Sequence, residues 1–262
     1  MRYSYRLKDD NINIEKILKI LESKKYIYDQ ENPELVFVFG GDGTVLGAVQ
    51  DYMDKVDEII FIGINHGNLG FYTDFIQDDI DNILNLIENN EYDISNLPLV
   101  EYHITNNQNI YTGYALNEIS LISLDRTMIM EIYINDFLFE KFRGTGIAVS
   151  TPSGSTAYNK SLGGAVVDIN IPSIQLTEIA SINNKVYTTL GSPIILGKNI
   201  NLKMIPVKNN DLVFNVDNRH LILKENVIIE TKVSDKCVKL LTQKNRSFFK
   251  RVQKAFIGDV ND

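Results

Sequence analysis

One cysteine, three histidines and a deficit of positive charge set the first limits on what these 262 residues can do. Cys237, being alone, can neither close a disulfide within the chain nor build a multi-cysteine zinc site, which agrees with a reducing compartment. His66, His103 and His220 are scattered and form no metal-ligand spacing. Lysine and arginine number 26 against 34 aspartates and glutamates, a formal charge of −8 that argues against a general nucleic-acid binder. An anionic substrate must then be met by local donors rather than by the global field. No apolar stretch approaches the ~20 residues of a membrane span, and Met1-Arg2-Tyr3-Ser4 lacks the apolar core of a signal peptide. Cytoplasm is the expected location. No internal repeat and no low-complexity linker interrupts the chain.

Two familiar nucleotide motifs are missing as well. Gly191 to Lys198 has the wrong spacing for a phosphate-binding P-loop and continues into Asn199 instead of Ser or Thr. The dinucleotide pattern G-x-G-x-x-G fails because Leu46 occupies the position of its third glycine. What is present is Gly40-Gly41-Asp42-Gly43-Thr44, directly after the apolar run Leu35 to Phe39. A buried strand ending in glycines lets backbone approach a ligand closely, and a helix that follows offers N–H groups to phosphate. Apolar residues at helical spacing from Val45 to Met53 supply that helix, with Thr44 as the expected N-cap. The stretch predicts a phosphate site containing one acid; the alternative is a tight turn with an Asx-type hydrogen bond and no chemistry.

Hydrophobic residues make up 44% and charged residues 23% of the chain, enough for one large or two ordinary domains, and the pattern favours two. From Met1 to about Asn90, strand-like runs (Arg2 to Leu7, Leu35 to Phe39, Ile59 to Ile62) alternate with helical spacings (Ile14, Ile17, Leu18, Leu21; Ile80, Ile83, Leu84, Ile87). Such alternation predicts an α/β domain with a parallel sheet. After Pro98 the chain reads as successive strands, with turns at Asn106-Asn107, Asn135-Asp136, Asn209-Asn210 and Asp217-Asn218. Phe248, Phe249, Val252, Phe256 and Ile257 mark a last helix. The expected boundaries are 1–95, 96–246 and a C-terminal helix, 247–262, returning to the first domain.

Three further stretches carry polar chemistry. Gly63 to Phe71 follows a strand and should face the same crevice as Asp42, since ligands gather at the carboxyl ends of parallel strands; the plainer reading gives Gly67 and Gly70 to turn geometry and Phe71 to the core. Asn117-Glu118 lies within the strand-like run Tyr114 to Leu121, where neighbours point to opposite faces unless a strand end or bulge intervenes. Glu118 is then either a solvent-facing residue of an edge strand or a carboxylate awaiting donors such as sugar hydroxyls. Arg143-Gly144-Thr145-Gly146 precedes Ser150 to Gly164, a run of hydroxyls and small residues with one aromatic, Tyr158, suited to binding a base or ribose ahead of a helix. That run contains neither Ser-x-x-Lys nor G-x-S-x-G, so serine catalysis has no template there.

In order, GGDGT at Gly40 to Thr44, NLGF at Asn68 to Phe71, NE at Asn117-Glu118 and STPSGSTAYNKSLGG at Ser150 to Gly164 resemble the NAD kinase family. The resemblance implies a Rossmann-like N-terminal α/β domain, a C-terminal β-sandwich, and a homodimer or homotetramer. It implies phosphoryl transfer from ATP, or inorganic polyphosphate, to the 2′-hydroxyl of the adenosine ribose of NAD, with Mg2+ carried by the phosphates and no direct metal ligand. By the same likeness Asp42 is the general base, and Gly40, Gly41, Gly43 and Thr44 form the phosphate loop. Asn117 reads adenine and Glu118 the ribose. Gly43, Asn65, Phe71, Thr156, Ala157, Tyr158, Asn159, Lys160 and Ser161 line or shape the NAD site, Ser153 lies near the nicotinamide end, and Arg143, Ala180 and the turn around Asn218 are lesser contacts. Thr145 departs from the pattern, since the family usually has an acid there beside the nicotinamide riboside. Lipid kinases of the diacylglycerol and sphingosine type share the GGDGT likeness, and a slow dinucleotide sensor is the reading that Thr145 would favour.

Overall fold

The computed structural model describes residues 1–9, 12–65, 67, 70–106, 109–207, 211–224, 226–244 and 246–258. The turn at Asn209-Asn210, half of that at Asn106-Asn107, and His66, Asn68 and Leu69 lie outside the described residues. The chain divides into two compact units, Met1–Leu97 with Cys237–Asp262, and Pro98–Lys236.

The first unit begins with β1 (Arg2–Leu7), α1 (Glu15–Ser23), β2 (Ile27–Tyr28), β3 (Leu35–Phe39), α2 (Asp42–Asp51), β4 (Ile60–Asn65), β5 (Phe75–Ile76) and α3 (Ile80–Glu88). Its strands run parallel in the order β2-β1-β3-β4, with β5 also on β4. Every residue of β3 is buried, which is why Leu-Val-Phe-Val-Phe shows no alternation: a parallel sheet covered on both faces needs apolar side chains on each. Ile17 and Leu21 of α1, and Ile80, Ile83, Leu84 and Ile87 of α3, recur every three or four residues and join Phe37, Phe39, Ile62, Ile64 and Phe75 in one core.

Strand β6 (Tyr92–Asn106) leads into the second unit, which continues with β7 (Asn109–Ala115), β8 (Glu118–Ser123), β9 (Met128–Ile134), β10 (Phe137–Gly144), β11 (Gly146–Ser150) and a one-turn α4 (Tyr158–Ser161). Then follow β12 (Ser173–Ile179), β13 (Ile194–Gly197), β14 (Leu202–Pro206), β15 (Leu212–Val216), β16 (Arg219–Leu223) and β17 (Val227–Gln243). One antiparallel sheet has the order β13-β12-β11-β8-β15-β16; the other sets β10-β9-β14 against the start of β17. Inward residues of both, among them Ile119, Leu121, Val149 and Phe214 from the first and Met130, Ile132, Phe142, Met204 and Ile229 from the second, build a single core. Asn135 and Asp136 both have positive φ, 47° and 63°, as the tight turn joining β9 to β10 demands. The second unit is thus mainly β, and the first is α/β.

From Cys237 onward β17 belongs to the first unit, pairing Lys239 and Leu240 in parallel with Ile60 and Phe61 of β4. The expected return at residue 247 therefore comes ten residues earlier. No turn residue marks the passage within β17; only its pairing with β4 does. The final helix α5 (Phe248–Phe256) is capped by the Ser247 hydroxyl, which accepts from the Lys250 N–H at 3.3 Å. Phe248 and Phe256 pack on Phe71, with ring centroids 6.2 and 6.0 Å away.

Candidate active site

Strand β3 ends at Phe39, and the Gly40 N–H then donates to the Ile64 carbonyl at 2.8 Å, which ties the glycine turn to the end of β4. A β-carbon at Gly40 would collide with the Thr44 side chain, so the turn closes only on glycine. Helix α2 starts at Asp42 with Gly41 as its N-cap. Thr44 therefore lies in the first turn and is not the N-cap expected from the sequence; its N–H bonds to the Gly41 carbonyl at 2.9 Å. The Asp42 side chain is held from outside the helix. Its Oδ2 accepts the Phe71 N–H and its Oδ1 the Tyr72 N–H, both at 2.9 Å.

The two glycine-rich strand ends thus meet on one carboxylate. A side chain at Gly70 would run into the Asp42 carboxylate, so glycine there lets the loop close on the acid. The loop is braced internally by the Gly70 N–H on Thr73 Oγ1 at 2.7 Å. Each carboxylate oxygen keeps acceptor capacity beyond its one amide bond. Around Gly41 and Gly43 a β-carbon would meet nothing within 4 Å, leaving open room beside Asp42 and the helix N-terminus. Asn65 closes β4, half-buried, opposite Ile76. Phe71 is half-buried against α5.

In the second unit Asn117 and Glu118 stand at a strand end. β7 stops at Ala115, β8 starts at Glu118, and Leu116-Asn117 forms the corner between them. The corner is organised by Asp217, 100 residues away, whose carboxylate accepts the N–H groups of Leu116 (3.0 Å), Asn117 (2.7 Å) and Glu118 (3.3 Å). Asp217 has a φ of 49° in the turn after β15, and its own N–H returns to the Glu118 carbonyl at 3.0 Å. The sequence offered only the turn signal Asp217-Asn218; Asn218 itself is exposed. β8 lies between β11 and β15, so the edge-strand reading of Glu118 does not hold. Glu118 Oε2 is buried and has no hydrogen-bond partner.

The hydroxyl-rich run packs under this corner. Thr151 Oγ1 and Ser153 Oγ both donate to the Leu116 carbonyl, at 2.6 and 3.1 Å, and the Thr151 N–H reaches the Asn117 carbonyl at 2.8 Å. A β-carbon at Gly154 would strike the Asn117 carbonyl, so this close approach needs glycine. Thr156, closing a 3-10 turn (Ser153–Thr156), and Ala157, between that turn and α4, are half-buried, while Tyr158, Lys160 and Ser161 are exposed. Asn159 is fully buried, its Oδ1 accepting from Thr177 Oγ1 at 2.6 Å and its Nδ2 unpartnered. Thr145 is half-buried between β10 and β11, its N–H on the Ile179 carbonyl and its carbonyl accepting from Ser123, each at 3.0 Å. Arg143 donates from Nε to Thr127 Oγ1 at 3.3 Å and lies over the Tyr187 ring at 5.1 Å. Ala180 is exposed with a φ of 48°.

Burial first, and the charge of Asp217 second, push the Glu118 carboxyl up to about 8. It is therefore neutral at pH 7 and can donate one hydrogen bond as well as accept. An acid raised above its unfolded value of 4.5 favours the folded state fully below that value and loses this contribution as pH rises through about 8. Thermal midpoints from pH 6 to 9 are expected to show it: Glu118→Gln, which cannot ionise, should gain on the unmodified protein as the medium becomes alkaline. Parallel midpoint curves would contradict the assignment.

Among the described residues no three His, Cys, Asp or Glu side chains gather as a metal cage. Asp42 places a carboxylate beside the open turn. This donor set suits a Mg2+ ion that arrives on phosphates and keeps most of its ligands from phosphate and water.

Family models place these two regions. The ATP-NAD kinase N-terminal domain matches residues 19–92 and the ATP-NAD kinase C-terminal domain residues 116–242. An NAD kinase from Streptococcus gordonii is 38% identical over 248 residues, covering 94% of this chain and 90% of its own length; one from Lactococcus lactis subsp. cremoris is 38% identical over 253 residues, covering 94% and 92%. Yeast NADH kinase, solved with NADH, superposes with a TM-score of 0.84 at 15% identity, covering all of this chain and 89% of its own. An NAD kinase from Archaeoglobus fulgidus, solved with ATP, gives 0.73 at 20% identity, covering 96% and 97%. With both family domains matched in order around the Asp42 turn and the Asn117-Glu118 corner, the chain belongs to the NAD kinase family.

Proposed function

We propose that the protein transfers the terminal phosphoryl group of ATP to the 2′-hydroxyl of the adenosine ribose of NAD, giving NADP and ADP. The observation that carries this reading is the Asp42 carboxylate, fixed by two backbone amides at the N-terminus of α2 beside open space at Gly41 and Gly43. A ribose hydroxyl is a poor nucleophile. Asp42 accepts its proton as the oxygen–phosphorus bond forms and the bond to the ADP oxygen breaks, with the leaving electron pair going to ADP. The helix N-terminus attracts phosphate. The Asp42 carboxylate sits at the same helix end, and a Mg2+ ion held by the ATP phosphates would supply compensating positive charge.

Binding of NAD falls to the second unit's residues. Glu118 Oε2, buried and without a partner, is suited to a ribose hydroxyl donor. Asn117 beside it would read adenine, while Thr156, Ala157, Tyr158 and Ser161, with Arg143, Asn159, Lys160 and Ala180, would line or support the pocket. Ser153 and Thr145 belong to the nicotinamide end in this reading, and Asn65 and Phe71 shape the site. A homodimer or homotetramer in the cytoplasm is the accompanying expectation; among the described residues no helix is long and apolar enough to cross a membrane.

Purified protein given NAD, Mg2+ and either ATP or polyphosphate, with NADP read through an NADP-specific dehydrogenase, tests the proposal. NADP should accumulate with ATP. NAD binding without NADP from either donor would leave a dinucleotide sensor instead. Thr145→Asp restores the acid usual in the family and should tighten NAD by roughly one to two decades, the equivalent of ~1.5–3 kcal/mol for a charge-assisted hydrogen bond. An NAD dissociation constant unchanged by calorimetry would refute the role given to position 145.

A further inference from the structure

The loop that holds Asp42 is itself gripped from its other side. Its amides at Phe71 and Tyr72 bond to Asp42, while its carbonyls are taken by two arginines from the C-terminal segment. Arg246 donates to the Phe71 carbonyl; Arg251 of α5 donates to the Gly70 carbonyl and, at 2.8 Å, to that of Thr73. Both guanidiniums converge on Asp74 Oδ1, Arg246 Nε at 3.0 Å and Arg251 through Nη2. The other Asp74 oxygen accepts the Gln243 N–H at 3.2 Å. The Asp74 side chain is 2% exposed and those of the two arginines 12% and 17%, so these charges are paired largely out of water. Burial lowers Arg246 to about 10, opposed by attraction to Asp74 and, more weakly, to Asp42, so it stays cationic at pH 7.

We propose that Asp74, Arg246 and Arg251 form a positioning clamp for the Asp42 carboxylate, through which the C-terminal segment sets the geometry of the base. Asp74 fixes the two guanidiniums, the guanidiniums fix three carbonyls of the 70–73 segment, and that segment presents two amides to Asp42. None of the three touches a reacting atom; they act through the loop. Such a shell is what a catalytic carboxylate needs, since displacement of the order of an ångström is costly to turnover. The inference rests on the reading of Asp42 as the base.

The test uses the full chain with Arg251→Gln, Arg251→Lys, Asp42→Asn and the pair Asp42→Asn with Arg251→Gln. Tyr52→Phe is the control, because it removes hydrogen bonds to Ser4 and the Gln30 carbonyl elsewhere in the same unit. Arg251→Gln should lower kcat about 10- to 100-fold with the NAD KM within about threefold, and Arg251→Lys should recover part of the loss. In the Asp42→Asn background Arg251→Gln should cost less than about twofold more. Amide exchange at Phe71 and Tyr72, followed by NMR, should accelerate in Arg251→Gln and not in Tyr52→Phe. Additive kinetic losses, or unaltered exchange at those two amides, would overturn the clamp. Should Asp42→Asn retain full activity, the base assignment falls, and the exchange rates by themselves decide whether Arg251 holds the loop on Asp42.

Discussion

Asp42→Asn is expected to reduce NADP formation by about 10²- to 10⁴-fold, the usual contribution of a positioned general base. The loss should fall on kcat, with the NAD KM changed less than about threefold, because the carboxylate acts on the hydroxyl proton and not on the body of the dinucleotide. A structural cost accompanies it. The carboxylate accepts two N–H groups, from Phe71 and Tyr72, whereas a carboxamide offers one acceptor oxygen and turns an NH2 toward the second amide. That mismatch is worth about 1 kcal/mol, or a midpoint lowered by about 2–4 °C. Steady-state kinetics with a thermal melt separate the two effects. Activity within about tenfold of the unmodified protein would remove Asp42 from the mechanism.

Asp217→Ala should have the largest effect in the second unit. One carboxylate there satisfies three successive N–H groups at the corner that carries Asn117 and Glu118. Alanine leaves those donors without their charged acceptor, a loss of about 2–3 kcal/mol that lowers the midpoint by about 4–12 °C. The corner also loses its definition, so NAD should bind at least about tenfold more weakly. Because Asp217 is one of the two causes of the raised Glu118 value, Glu118 should also titrate lower in the variant, burial being the cause that remains. An unchanged midpoint together with unchanged NAD affinity would show that the corner is held by other contacts.

Much of this was legible in the sequence because it rests on local pattern. The uninterrupted apolar run of β3, the glycines after it and the helical spacing of α1, α3 and α5 are each written within ten residues or so. The motifs around Asp42, Asn117 and Ser150 to Gly164 carried the family likeness. What was not legible depends on backbone donors and on distant pairing. Asp42 is captured by the amides of Phe71 and Tyr72, and a backbone N–H has no residue-type signature; the N-cap of α2 lies at Gly41 and not at Thr44. Asp217 reaches Leu116, Asn117 and Glu118 across about a hundred residues, with nothing but a turn dipeptide to announce it. By its local pattern Glu118 read more readily as a surface residue of an edge strand until β8 proved to lie between β11 and β15. Asp74 stands more than 170 residues before Arg246 and Arg251 in sequence, and the three look like ordinary surface charges until the fold pairs them.

The most direct test of the central claim compares NAD with 2′-deoxyadenosine NAD as acceptors of a labelled γ-phosphoryl group from ATP, with the product examined by phosphorus NMR. The account predicts one labelled phosphate on the 2′-oxygen of NAD and no transfer to the deoxy analogue, although that analogue still binds. Transfer to the deoxy analogue, or label elsewhere on the dinucleotide, would contradict it.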